Sequence, residues 1–346
     1  MIEKRPLGKT GLMVSRLALG GLPLCGRSSL GHAADVIRRA AELGINFIDT
    51  SPSYFDSETQ IGNALRQVDA EFIVGTKLGN LPYETYRCKD KDFLRRELEF
   101  SYQSLRLDKV AILYVHEPDR PELHDWWIDK DKYEGPVLEL LEEYRDKGKV
   151  DFFGLGGTTT TELARLIDSK KFQVVLSACQ YSMLWQEATH SVFPAARRNG
   201  VGVVAGGIMQ QGALSQVFYH DVVEEPMRWM SEPRRRQFMA LYELVDDCGI
   251  PLPELALRFV LSNPDVATIL TGVPNVEQLE QNVAAYEKGP LPQELLDRIN
   301  EIYRMVPFRP FGEPFAPWFQ AQLDDFKKRE AEVDKFIAKE VSHRKS

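Results

Sequence analysis

The sequence predicts an α/β fold, a (β/α)8 TIM barrel with an N-terminal β-hairpin, long βα loops and a C-terminal tail. Three observations carry that prediction. Short, nearly continuous apolar runs recur along the chain and end in Gly, Thr, Asp or His, as strands buried on both faces of a parallel sheet do. They begin near Leu17, Ile45, Phe72, Val110, Asp151, Val174, Val201 and Val266, at spacings of 28, 27, 38, 41, 23, 27 and 65 residues. Helical segments separate them. Eight strands alternating with helices suit a closed barrel better than an open doubly wound sheet.

Each element has its own warrant. Before the first run, RPLGKTGLMVSRL holds two β-like stretches around a Lys-Thr-Gly turn, a hairpin placed to close the bottom of the barrel. HAADVIRRAAEL, 32–43, reads as a helix with Gly44 as its C′ glycine. SETQ, from Ser57 to Gln60, reads as a capping box opening the next helix. Between Asp92 and Leu105, the residues Leu94, Leu98, Tyr102 and Leu105 share one helical face at spacings of four, four and three. Pro136 to Tyr144, Thr161 to Asp168, Ala188 to Arg198 and Val276 to Tyr286 continue the alternation, and the 65-residue gap holds Pro233 to Cys248 and Pro253 to Leu261. Residues 1–306 form the expected barrel, and 307–346 a loop followed by a charged helical tail. The stretch VPFRPFGEPFAPWF is aromatic and Pro-rich, suited to folding back over the barrel mouth.

Composition narrows the function. The 346 residues are 43% hydrophobic and 27% charged, enough for an enzyme-sized core. No run of 18 apolar residues exists, so no membrane span is expected, and the first residues lack the pattern of a secretory signal. A net charge of −8 argues against a nucleic-acid partner. Cys25, Cys88, Cys179 and Cys248 match no disulfide or metal spacing, which fits a reduced, cytoplasmic protein. Composition leaves the oligomeric state open.

In such a barrel, functional groups sit where strands end. Those ends supply Asp49, then Tyr54 in the same loop, Lys77 and His116, from three successive strands. Each has a bland reading: a loop acid, a rim aromatic, a snorkelling lysine, a satisfied loop histidine. Jointly, the bland reading needs four coincidences. A phenol titrates near pH ~10, and an ammonium about 4 Å away at an effective dielectric of about 20 favours the phenolate by roughly 4 kcal/mol, or about three pKa units. That would bring Tyr54 near neutrality if desolvation does not cancel it. Asp49 would hold Lys77 charged, and His116 would bond the reacting oxygen. The set suits proton transfer coupled to hydride transfer at a carbonyl. No metal site is expected, because the six histidines are dispersed.

Five segments, RPLGKTGLMVSRLALGG, GINFIDTSPSY, VGTKLG, ILYVHEPD and TGVPNVEQLEQNV, resemble the aldo-keto reductase superfamily, over Arg5 to Asn282. The resemblance implies a barrel that binds an extended nicotinamide cofactor without a Rossmann domain. It places the catalytic Asp, Tyr, Lys and His of the family on Asp49, Tyr54, Lys77 and His116, with Tyr54 as acid in reduction and base in oxidation. For the cofactor it implies Gly21, Asp49, Gly156, Gly157, Thr158, Gln180, Gly206, Gly272, Gln278 and Asn282. Four of these depart from the common pattern. Gly156-Gly157 stands where many members carry the Ser-Asn that holds the nicotinamide carboxamide, and Gly206 where many stack an aromatic residue. Trp185 is a candidate to reach that side. Gln278 occupies a place often taken by Arg. Because Thr271 to Glu287 contains no Lys or Arg for a 2′-phosphate, NAD is favoured over NADP.

The segment AGGIMQQGAL is similar to the branch of aldose, fucose and galactose dehydrogenases, in which a sugar's anomeric alcohol is oxidised to a lactone. The expected substrate is a small aldehyde, ketone or sugar. Phe55, Tyr83, Tyr86, Trp126, Trp127 and the 311–319 stretch are candidate mouth aromatics, though such residues more often seal their own loops. Two rival readings stand beside the enzyme. One is a metal-dependent barrel hydrolase. The other is a catalytically weak, nicotinamide-binding regulatory or sensor member of the same fold.

Overall fold

Eight parallel strands close on themselves in the computed structural model, which describes residues 2–25, 32–80, 86–227 and 230–307. In chain order they are β3 (Leu17–Gly20), β4 (Phe47–Asp49), β5 (Ile73–Leu78), β6 (Val110–His116), β7 (Val150–Gly157), β8 (Val174–Ala178), β9 (Gly202–Gly206) and β10 (Thr268–Thr271). Each pairs with its chain neighbour, and β10 pairs with both β9 and β3 to complete the ring. Around them lie α1 (Ala33–Glu42), α2 (Ser57–Leu65), α3 (Lys91–Leu105), α4 (Pro136–Asp146), α5 (Thr160–Asp168), α6 (Val192–Asn199), α8 (Leu252–Leu261) and α9 (Val276–Glu287). Two helices are additional, α7 (Glu232–Cys248) and α10 (Gln293–Arg304). They brace one another: Gln237 donates to the Ile302 carbonyl at 3.0 Å, and Arg298 pairs with Asp247 at 2.7 Å.

Parallel strands put all their C-terminal ends on one rim, so the closed ring fixes where a site can be built. The opposite end is plugged. Strands β1 (Lys4–Pro6) and β2 (Met13–Ser15) pair antiparallel as the expected hairpin, and Leu7 and Val14 are fully buried in one cluster with Ala18, Phe47, Ile112, Tyr114, Val174 and Val204. This is the barrel's interior layer. Tyr114 fills so much of it that a Cβ on Gly154 would lie 2.3 Å from its ring, which explains a glycine in mid-strand. A larger cluster packs the outer strand faces against the helices and includes Leu94, Leu98, Tyr102 and Leu105, the expected stripe of α3. Gly44, at φ 88°, is the expected C′ glycine of α1.

Two local expectations are corrected. The segment 188–198 is a 3-10 turn, Glu187–His190, followed after a break at Ser191 by α6. Pro194 is the reason: it has no N–H to give, so it is tolerated only in a helix's first turn, and the helix must restart just before it. The SETQ capping box does not form either. Ser57 is already inside α2, Asp56 occupies the cap position without a side-chain cap bond, and the Ser57 and Glu58 side chains serve other partners. The tail expected over 307–346, with its Pro-rich stretch, lies outside the described residues except for Pro307. Among the described residues, no helix is long and apolar enough to cross a membrane.

Candidate active site

The rim divides into two arcs. Asp49 ends β4, Tyr54 lies in the loop that follows, Lys77 is the penultimate residue of β5, and His116 ends β6. The four expected catalytic residues therefore occupy three adjacent strand ends. The expected cofactor residues fill the remaining arc: Gly156 and Gly157 end β7, with Thr158 just beyond, Gln180 lies two residues past β8, and Gly206 ends β9. Gly272 and Gly21 lie after β10 and β3, and Gln278 and Asn282 are on α9. Gly21 donates its N–H to the Asp49 carbonyl at 2.7 Å, so the two arcs meet there.

Within the first arc the side chains converge. Lys77, 2% exposed, donates to Asp49 Oδ2 at 2.5 Å and to the Thr50 carbonyl at 2.6 Å. Its Nζ lies 4.8 Å from the centre of the Tyr54 ring, and below it Tyr114 forms a floor at 5.7 Å. The Tyr54 and His116 rings meet edge-to-face with centroids 6.3 Å apart. His116 Nδ1 lies 3.2 Å from the Gly79 carbonyl, which sets the plane of the imidazole.

Electrostatics corrects one expectation. Tyr54 does not approach neutrality; burial raises its phenol above the ordinary value, against the lowering effect of Lys77. The expected lowering depended on desolvation not cancelling the Lys77 charge, and here burial is the larger effect. In the structure that ammonium is bound to Asp49, and the carboxylate raises the phenol in turn. Burial likewise drives the Asp49 carboxyl up against the pull of Lys77, and Lys77 regains from Asp49 and Tyr54 more than burial takes from it. His116 is pushed down to about 3, first by burial and then by the Lys77 charge, so its imidazole is neutral at physiological pH. The arc thus offers a protonated phenol beside a paired ammonium and a neutral imidazole.

Sequence reasoning missed the residues that hold this arc. Ser57 Oγ donates to the Gly21 carbonyl at 2.7 Å and lies 2.9 Å from Thr50 Oγ1. Its neighbour Glu58, 3% exposed, accepts from Thr76 Oγ1 at 2.6 Å. The start of α2, directly after Tyr54, is thereby tied to β3 and β4 on one side and to β5, next to Lys77, on the other. Burial pushes the Glu58 carboxyl up, partly offset by the hydroxyls of Thr76 and Ser101. The missed signal was a carboxylate sharing a helix face with buried apolar residues. Glu58→Gln, which keeps an acceptor oxygen, should retain the parent melting temperature. Glu58→Ala should lower it by several degrees, since a buried hydroxyl left unbonded costs about 1–3 kcal/mol. Equal melting temperatures by circular dichroism would show that the bracket bears no strain.

The second arc carries a polar group suited to a nicotinamide. Gln180 is fully buried; its Oε1 accepts from Ser177 Oγ, while Nε2 has no partner among the described residues. A buried donor without an acceptor is costly and fits a carboxamide oxygen. A Cβ on Gly156 would make ordinary contact with Lys77 Cε and Cδ, at 3.7 and 3.8 Å, so this glycine lies against the Lys77 stem without crowding it. Trp185, by contrast, does not reach this side. It is fully buried beneath the Arg234 guanidinium, 4.6 Å from its ring. Gln278 is exposed on the first turn of α9, where its N–H is capped by Asn275.

The mouth aromatics separate in the same way. Trp126 and Trp127 are buried and donate to the His116 and Pro118 carbonyls, at 2.9 and 3.4 Å, so they seal their loop. Tyr86 packs edge-to-face on Phe93, His124 and Trp126. Phe55, next to Tyr54, is 46% exposed with a φ of 56°. Tyr83 and 311–319 lie outside the described residues. Among the described residues, no group of three or more His, Cys, Asp or Glu is placed to hold a metal ion.

Comparison with known proteins agrees with the fold. The aldo/keto reductase family model matches residues 16–304. An L-galactose dehydrogenase of Arabidopsis thaliana is 29% identical over 321 residues, covering 88% of this chain and 95% of the relative. A D-threo-aldose 1-dehydrogenase of a Pseudomonas species is 29% identical over 311 residues, covering 79% and 88%. Among solved structures, the holo form of an aldo-keto reductase from Bacillus halodurans superposes with a TM-score of 0.71 at 24% identity, covering 89% of this chain and 99% of that one.

Proposed function

The chain belongs to the aldo/keto reductase family, and from that premise we propose that it is an NAD-dependent dehydrogenase acting at the anomeric carbon of an aldose. The observation that carries the catalytic part is the Lys77–Asp49 contact at 2.5 Å beneath the Tyr54 ring. When bound, a nicotinamide supplies or accepts the hydride. The chain's own groups handle the proton and the geometry. Tyr54 gives a proton to the reacting oxygen in reduction and takes it in oxidation. Lys77 stabilises the phenolate left behind, Asp49 keeps Lys77 charged and aimed, and neutral His116 fixes the reacting oxygen by a hydrogen bond. Gln180 would hold the carboxamide, with Gly156, Gly157 and Thr158 beneath it and Gly206 beyond. Gly21, Gly272, Gln278 and Asn282 would follow the rest of the cofactor. The complete set of Asp49, Tyr54, Lys77 and His116 at one rim favours turnover over a nicotinamide-binding sensor.

The sugar reading is supported by the two aldose dehydrogenases among the relatives and by the mouth itself. Phe55 offers an exposed aromatic face beside Tyr54. Glu117, the residue after His116, has its carboxyl pushed up to about 7 by burial and the nearby Asp119, and it accepts from Thr158 Oγ1 at 3.1 Å. An aromatic face and a carboxyl beside the reacting centre suit a polyhydroxylated ring. The test is a panel of aldoses with NAD or NADP, and simple aldehydes with NADH or NADPH, followed by reduced-nicotinamide absorbance. Oxidation of an aldose should prevail; reduction of simple aldehydes alone would overturn the sugar reading.

Cofactor choice gives a separate expected outcome. A 2′-phosphate needs an unengaged cation near the start of α9. Among the described residues, Arg39 of α1 is paired onto α9, and it is held by Glu280 at 2.8 Å and Glu42 at 2.7 Å. NAD should therefore exceed NADP in kcat/KM. A clear preference for NADP would overturn the assignment.

A further inference from the structure

The pair Gly156-Gly157 removes the side chains with which many relatives hold the nicotinamide carboxamide, and the structure shows what fills the space. Asp119, in the loop after β6, is 5% exposed. Its Oδ2 accepts the Thr158 N–H at 2.8 Å and also that of Thr159, so this oxygen caps the start of α5. Its Oδ1 is buried without a hydrogen-bond partner among the described residues. A Cβ on Gly157 would lie 2.0 Å from that oxygen and 2.6 Å from Asp119 Cγ. A side chain at 157 and the Asp119 carboxylate therefore exclude each other. Capping explains Oδ2 and leaves Oδ1 unexplained, and a buried acceptor with no donor carries a cost of its own.

The second unpartnered group lies on the adjoining strand. Gly157 pairs in register with Ser177, whose hydroxyl holds Gln180 Oε1 and leaves Nε2 unbonded. Residues in register on neighbouring strands, about 4.8 Å apart, face the same side of a sheet. An unused donor and an unused acceptor thus flank one pair of strand ends. A primary carboxamide presents one carbonyl acceptor and one NH2 donor side by side, the complement of that pair.

We propose that Asp119 Oδ1 accepts the NH2 of the nicotinamide carboxamide while Gln180 Nε2 donates to its oxygen, so that the turn after β6 replaces the side chains absent from β7. This rests on the nicotinamide reading above.

The experiment compares two cofactors that differ in this group. NADH carries the carboxamide; the reduced 3-acetylpyridine analogue keeps the carbonyl but has a methyl in place of the NH2. The unmodified protein should bind NADH about tenfold more tightly than the analogue by fluorescence titration, the equivalent of one charge-assisted hydrogen bond. Asp119→Asn retains an oxygen to cap α5 and turns an NH2 towards the ligand. It should weaken NADH by a similar factor, leave the analogue's affinity unchanged, and keep the melting temperature. Gln180→Leu should weaken both ligands. Equal affinities of the unmodified protein for the two cofactors, or equal weakening of both by Asp119→Asn, would overturn the assignment. Failure of the unmodified protein to bind either one would overturn the nicotinamide reading itself.

Discussion

Tyr54→Phe is expected to lower kcat by at least about 10²–10⁴-fold, the usual contribution of a positioned general acid or base. NADH affinity should be unchanged. The substitution removes one oxygen and keeps the ring that packs edge-to-face on His116, so the proton path is cut and little else moves. The pH dependence carries a sign. Burial holds the Tyr54 phenol above its ordinary value, so the proton-donating form prevails at all physiological pH values. Reduction by the parent protein should be flat through neutrality. Oxidation needs the phenolate, and its rate should climb with pH until the phenol's raised pKa is reached. His116, titrating near 3, should add no inflection between pH 5 and 8. A Phe variant that kept most of its rate, or an oxidation rate independent of pH, would show that another group moves the proton.

The fold was legible because strand ends and helix stops are written locally. The runs closing in Gly20, Asp49, Leu78, His116 and Gly157 show where the chain leaves the barrel, and a ring of parallel strands gathers those ends at one mouth. The meeting of Asp49, Tyr54, Lys77 and His116 at one rim followed for the same reason. What stayed illegible depended on side chains choosing distant partners. Ser57 looked like the cap of its own helix and Glu58 carried no signal, yet they bond the ends of β3 and β4 and the strand β5. The acidity of Tyr54 could not be read from Lys77 alone, since Asp49 and the loss of solvent act against it. Gly157 looked like a missing contact, and only the three-dimensional overlap with Asp119 shows what stands in its place. The break before α6 had a local signal, Pro194, that outweighs the apolar periodicity around it.

Lys77→Met should be the most damaging of these substitutions to stability and activity together. Met approximates the length of the lysine and removes its charge, leaving Asp49, 1% exposed, without its ion-pair partner. Breaking a buried pair from one side costs about 3–5 kcal/mol, which for a barrel of this size lowers the melting temperature by on the order of 10 °C. Activity should vanish as well, because Lys77 is the main group that lowers the Tyr54 phenol. The loss of stability should depend on pH in a defined direction. Burial already raises the Asp49 carboxyl with Lys77 present, and without Lys77 it rises further. Above the carboxyl's unfolded value near ~4, the unfolded chain then holds fewer protons than the folded one, so stability falls as pH rises towards the raised value. The variant should accordingly lie nearest the parent at about pH 4 and diverge from it towards neutrality. Asp49→Asn in the same chain removes the stranded charge. The double variant should regain much of the melting temperature at pH 7, lose its pH dependence, and remain inactive. A single variant as stable as the parent at pH 7, or a double variant no more stable than the single, would show that Asp49 and Lys77 do not hold one another as an ion pair.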